Sequence, residues 1–194
     1  MLYGGRQVNI KIWCKSFLSI YHIIPSVIAS IDKLVYLKSV NSSEYSLESK
    51  LGTQNQIENI MKLTQRKVNL INLKVLTDQT LLEMDKKKSK LLILKYIDNV
   101  KSKKAIELSG LNRRTYFRAL NSAFGEFESL FYLKILKSNN LYLSLKEEGF
   151  LDDIFNKIDL YNKAVENKGD ELENTEKFTK NMCSIIIKKL RKVF

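Results

Sequence analysis

The chain is poor in the residues that carry most enzyme chemistry. Its 194 residues include one histidine, one tryptophan, one proline and two cysteines. His22, the sole imidazole, sits in an apolar run where a core or surface role is expected over a catalytic base, and the cysteines are distant, so neither a Ser-His-Asp set nor a Cys-His pair is credible. Cys14 and Cys183 stand at opposite ends with no CxxC or CxxH spacing, which excludes a disulfide framework and a zinc site from expectation. There is no GxxxxGK[ST], GxGxxG or GxSxG, so no phosphate-cradling loop or nucleophile elbow is expected. The acidic pairs Glu147-Glu148 and Asp152-Asp153 could hold Mg²⁺ only from one site. Neighbours on a helix point about 100° apart, which argues against that. No catalytic residue, metal site or cofactor is expected.

A clean membrane run is also missing. The apolar stretch Ile10 to Ala29 contains Lys11, Lys15 and Pro25 and has no small-residue cleavage pattern. It falls short of the roughly 20 apolar residues that span a bilayer. Together with two unpaired thiols, this gives the expectation of a cytoplasmic protein without a membrane span.

What is present is apolar content and positive charge. Hydrophobic residues make up 44% of the chain, enough for a core and against wholesale disorder. The formal net charge of +12 suggests a polyanionic partner. Lysine, asparagine and isoleucine are abundant, as in proteins of AT-rich genomes, so part of the lysine excess has a compositional source.

Periodicity points to helices. In residues 1–15, Val8, Ile10 and Ile12 alternate with polar residues, as in a short strand. From Phe17 to Val35 apolar residues recur at three- and four-residue steps, and Pro25 either kinks that helix or opens a second one. Residues 41–55 are polar, contain Gly52 and read as a linker. Residues 56–83 lack Gly and Pro and carry two apolar faces. One comprises Ile57, Met61, Val68, Ile71, Val75 and Leu82; the other comprises Ile60, Leu63, Leu70, Leu73 and Leu76. Such a helix is either buried between neighbours or seated in an oligomer seam. Asp85 to Ser89 separates it from the next helical run, either as a solvated turn or with its lysines against phosphates. Beyond Leu120 the helical pattern runs on past Gly125 to a break at Ser138-Asn139-Asn140. An amphipathic helix is expected over 150–158, a turn at 167–170 and a basic helix over 171–194. This last could touch phosphates or an anionic membrane surface, its plainer reading being surface charge near a helix C-terminus.

The most informative stretch is Ser89 to Leu120. A helical run ends at Ser109, Gly110 comes next, and Asn112 precedes a second run. Glycine allows the positive φ of a helix end, and Asn can cap the next helix. The outward positions of the second helix would be Asn112, Arg113, Arg114, Phe117, Arg118 and Asn121. Arginine can pair bidentately with guanine, and asparagine with adenine. Thr115, Lys101, Lys103 and Lys104 are placed to contact phosphates, the lysines at the start of a helix that would cross the backbone.

Here the chain resembles a family. Leu94-Lys95-Tyr96, Ala105-Ile106, Gly110-Leu111-Asn112, Thr115, Arg118 and Leu120 resemble the fourth-region helix-turn-helix of bacterial sigma factors and of sigma-like regulators in phages and Gram-positive bacteria. Ile106 stands where a small residue is usual, and Ser109 where an apolar one is usual. The resemblance implies a sequence-specific transcription regulator whose helix from Asn112 reads the major groove of double-stranded DNA, with RNA polymerase and a second copy of the chain as candidate partners.

The resulting expectation is an all-α protein, a helical bundle with a central tri-helical helix-turn-helix. It has an N-terminal helical region (1–85), a DNA-binding region (86–135) and a C-terminal helical region (136–194). The alternatives are a non-enzymatic helical interaction protein whose charge is incidental, and RNA binding by shape.

Overall fold

A computed structural model describes residues 10–44 and 50–138, with side chains from 14–40 and 54–138, and the single positions Leu143, Asn156, Leu160 and Ile186. Every described element is helical and none is a strand, so the protein is all-α. The expectations for residues 1–9, for the 167–170 turn and for most of the last helix lie outside the described residues; Asn156 and Ile186 are helical where helices were expected.

The first helix, α1, spans Ile10–Ile20. The alternation at Ile10 and Ile12 therefore belongs to a helix and not to a strand, because it continues through Cys14 and Phe17 at four- and three-residue steps. A single 3-10 turn, Tyr21–Ile23, leads into α2, Ile24–Glu44. Pro25 sits in the first turn of α2, where its missing N–H costs no intrahelical bond. It opens the second helix. Cys14, Phe17, Leu18, Ile20, Tyr21, Ile23, Ile24, Val27 and Ile31 are all buried. By length and composition the stretch Cys14–Val40 could cross a membrane, but more than half of its apolar window is buried inside the protein.

Helix α3, Lys50–Glu83, has 34 residues and is about 51 Å long at 1.5 Å per residue. It runs antiparallel to α2: Asp32 meets Lys67 at 2.6 Å, while Tyr21, near the start of α2, meets Asp78. Residues 41–44 and 50–55 are thus helical and not linker, with only 45–49 outside the description. Leu63, Leu70, Leu73 and Leu81 of α3 are buried, as is Met84 just after its end. Thr77 and Thr80 are buried with them, their hydroxyls donating to the carbonyls of Leu73 (2.9 Å) and Leu76 (2.6 Å). The phenol of Tyr21 donates to Asp78 and accepts from Lys74 at 2.8 Å, and Lys74 lies 3.1 Å from Asp78. Burial first, and then the Asp78 bond, pushes that phenol above its ordinary pKa.

Asp85 caps α4, Lys86–Leu92, accepting from the amides of Lys87 (3.0 Å) and Lys88 (3.1 Å). The lysines 86–88 therefore form a helix's first turn and not a loop. Ser89 ties the corner shut by donating to the carbonyl of Leu81 at 2.7 Å. The helix then widens into a π segment, Ile93–Ile97, closed by Asp98 N–H to Ile93 (2.9 Å) and Val100 N–H to Leu94 (2.9 Å), with Asn99 at φ 51°. Two further helices follow, α5 (Ser102–Ser109) and α6 (Arg113–Lys137). The last buries Tyr116, Leu120, Ala123, Phe127, Phe131 and Ile135 at steps of four, three, four, four and four, against α1, α3 and α4. Residues on both sides of position 86 share this core, and Ile186 joins it.

Candidate nucleic-acid interface

The turn between α5 and α6 is built by three residues. Gly110 ends α5 at φ 67°, its N–H bonded to the carbonyl of Glu107 at 3.1 Å. The left-handed conformation costs an L-residue about 1–2 kcal/mol, which glycine avoids. Asn112 is extended (φ −70°, ψ 158°) and its Oδ1 accepts from the Thr115 amide at 2.9 Å, satisfying one free N–H of α6. Ser109, the residue before the glycine, uses its polarity locally: its Oγ donates to the Ile106 carbonyl at 2.7 Å and accepts from Leu111 N–H at 3.4 Å.

Ala105 is wholly buried and Ile106 half-buried, so Ala105 supplies the small contact surface of α5. Helix α5 packs on α6 and on the π segment, and Lys95 reaches across to Ser102 at 2.8 Å. On the other flank, Glu126 of α6 accepts from Asp85 N–H at 3.1 Å and from Lys88 at 2.7 Å. Lys88 holds the Glu126 carboxyl below its ordinary pKa, and Glu126 in turn raises that of Lys88. Lys134 bonds Glu83 at 2.5 Å. These contacts fix α6 to the α3–α4 corner along its C-terminal two thirds; in its first two turns Tyr116 and Leu120 are buried and the opposite face is left projecting into solvent.

The expected contact residues divide on that projecting end. Asn112, Arg113, Arg114, Thr115, Arg118 and Asn121 are exposed. Among the described residues, Arg113, Arg114 and Arg118 enter no ion pair and no side-chain hydrogen bond. At 100° per residue, Arg114, Arg118 and Asn121 fall within about 60° of one another, opposite the Tyr116–Leu120 stripe. Ser122 is exposed one turn beyond Arg118 and extends the same ridge; the four-residue spacing from Arg114 through Arg118 was its signal in the sequence. Arg113 is turned about 100° from Arg114, toward the buried side, and is exposed because it lies in the first turn.

Phe117 departs from expectation. It is half-buried, packed against the core and edge-on to Tyr116 with centroids 5.3 Å apart, so it supports the helix and does not face outward. Lys101, Lys103 and Lys104 are exposed at the start of α5. Residues 101–122 hold six basic side chains and one acidic one, Glu107, so five of the twelve net positive charges lie in 22 residues. Half of the chain's six arginines lie between 113 and 118.

Elsewhere the described residues offer little chemistry. They contain no group of three or more His, Cys, Asp or Glu that could hold a metal. Burial, reinforced by Glu128, pushes the Cys14 thiol far above its ordinary pKa, and burial lowers that of His22. No family model, no curated protein and no solved structure matches the chain.

Proposed function

We propose that the protein binds double-stranded DNA through α5, the Gly110 turn and α6, a helix-turn-helix whose second helix enters the major groove, and acts as a transcription regulator. The observation that carries this reading is the ridge of Arg114, Arg118 and Asn121, exposed and in no ion pair with any described residue, on an anchored helix. Arginine suits bidentate pairing with guanine O6 and N7, and asparagine pairing with adenine N6 and N7. Asn112 serves as the cap of that helix, so its side chain positions the reading residues. Arg113, Thr115, Lys101, Lys103 and Lys104 border the ridge and suit phosphate contacts, which set register and affinity. In this reading the chain works in the cytoplasm by binding and not by catalysis. RNA polymerase as a partner rests on the sigma-factor resemblance alone.

Fluorescence anisotropy on duplex DNA tests this. Arg114→Ala should cost about 1–3 kcal/mol on a preferred sequence and relax base preference. Lys103→Ala should weaken binding to all sequences and reduce the log–log salt slope by about 1. If Arg113→Ala, Arg114→Ala and Arg118→Ala combined leave binding intact, the interface is wrong. The alternative, a helical interaction protein, is favoured by one observation, the exposed apolar face of α3. Its sign would be an elution mass unchanged by duplex DNA.

A further inference from the structure

Of the two apolar faces of α3, only one is used by the fold. Ile57, Met61, Val68, Ile71, Val75 and Leu82 are 38–85% exposed, Leu82 most of all. On a helical wheel they occupy an arc of about 80° diametrically opposite Leu63, Leu70, Leu73, Thr77 and Met84. Met61, Val68, Val75 and Leu82 are spaced by sevens, and Ile57 and Ile71 fall four residues before Met61 and Val75. A strict seven-residue period is the pattern of a helix whose partner is another helix wound on it left-handedly. Of the flanking positions on one side, Gln65, Asn72 and Gln79 are uncharged, and Glu58 at the end of the stripe carries charge.

From these observations we infer that α3 pairs antiparallel with α3 of a second copy of this chain, through the Ile57–Leu82 stripe. Identical stripes close by a two-fold axis. An axis between Val68 and Ile71 sets Val68 against Ile71 of the other copy, Val75 against Thr64, and Leu82 against Ile57. The antiparallel order places Asp78 against Met61, whereas a parallel pair would stack Asp78 on itself. It also brings Lys67 near Lys74 of the other copy, and each is already matched within its own chain, Lys67 by Asp32 at 2.6 Å and Lys74 by Asp78 at 3.1 Å. The chain's own C-terminal segment is the less suitable occupant, because Ile186 is already buried in the core while the stripe stays open.

The size of the stripe sets the strength. Its 26 residues run about 39 Å, and at a helix width of about 10 Å each copy offers on the order of 400 Å². That matches the largest apolar patch of a typical monomer, about 300–600 Å², which is often functional. Doubled, it falls at or below the lower end of stable interfaces, so the dimer is reversible and concentration-dependent.

Sedimentation equilibrium of the full chain without DNA, from about 1 to about 300 µM, reads this directly and independently of any DNA binding. The expected result is a mass rising from 22.6 kDa toward twice that value. Val68→Glu with Val75→Glu should hold it at the monomer mass with an unchanged circular dichroism spectrum, since both positions are exposed. In a Cys183→Ser background, mixed Ile57→Cys and Leu82→Cys proteins should form the mixed disulfide. A monomer at every concentration overturns the proposal, as does a dimer that survives the double glutamate variant. Disulfides joining Leu82→Cys to itself overturn the antiparallel order.

Discussion

Two glycines in the second half of the motif invite the same substitution with opposite outcomes. Gly110 has φ 67°, and a Cβ built there meets nothing within 4 Å. Gly110→Ala therefore clashes with no neighbour, and its whole cost is the left-handed backbone, about 1–2 kcal/mol. The smaller entropy of an unfolded chain carrying alanine offsets part of this, by about 0.4–1 kcal/mol. The net loss is about 1 kcal/mol. Gly125 lies inside α6 at ordinary helical φ, is exposed, and a Cβ there also meets nothing within 4 Å. Gly125→Ala should stabilise by about 0.5–1 kcal/mol, because alanine loses less freedom on entering a helix. Urea unfolding tracked by helical circular dichroism measures both, with midpoints moving in opposite directions and slopes unchanged. For a chain of this size each kcal/mol also moves the melting point by about 2–4 °C. Gly110→Asn, whose side chain tolerates the left-handed region, should lose less than alanine. Equal signs for the two alanine variants would refute the assigned turn, since nothing else distinguishes the two sites.

The Tyr116 hydroxyl is buried and has no hydrogen-bond partner among the described residues, and burial raises its pKa, so Tyr116→Phe should be neutral or stabilise by about 1 kcal/mol; a loss above about 1 kcal/mol would reveal a partner. His22 is held neutral by burial, its pKa below the ordinary value of 6.5. Its contribution to stability is full above about pH 6.5 and is lost as pH falls through the lower folded value. Proton NMR of this sole histidine should show a midpoint under 6.5 in the native state, and a midpoint above 6.5 would contradict its placement. Cys14, fully buried with its thiol pushed upward, should resist a disulfide reagent in native Cys183→Ser protein and react once the chain is unfolded; fast native labelling would show the α1 core to be open.

What the sequence revealed depended on how local the cause was. Gly110 and Asn112 act on neighbours within three residues, and their cap and turn were readable from residue type and order. The stripe from Tyr116 to Phe131 was readable for the same reason, being a property of one helix. Phe117 was misread because it lies about 100° from Tyr116, at the edge of the buried arc. Whether an edge position is covered depends on the neighbouring element. The choice between the two faces of α3 is likewise a tertiary matter: both are apolar, and only the packing of α2, α4 and α6 selects Leu63 and Leu70 over Met61 and Val68. Residues 41–44 and 50–55 look like linker because their polar residue types resemble a linker's, although their backbone is helical. The ties that hold α6 in place, Lys88 to Glu126 and Lys134 to Glu83, join residues 38 and 51 positions apart. No spacing rule reaches that far.

The compositional explanation of the charge makes a claim about where that charge should lie. A genome rich in A and T raises lysine along the whole chain, and lysine is indeed spread from Lys11 to Lys192. It gives no reason for three of six arginines to fall within six residues, nor for one acid among the 22 residues from 101 to 122. The carboxylates show the complementary pattern. Asp32, Asp78, Glu83 and Glu126 each pair with a lysine that joins α3, α4 or α6 to the rest of the molecule or braces α3 itself, which places these ion pairs on the scaffold side. The projecting end of α6 is left with guanidiniums that no described carboxylate neutralises. Exposed ion pairs contribute about 0–1 kcal/mol to stability, so folding alone gains little from this segregation. A field of one sign focused on a rigid helix end gains much more when a polyanion approaches, because counterions are released and the arginines need no reordering to bind.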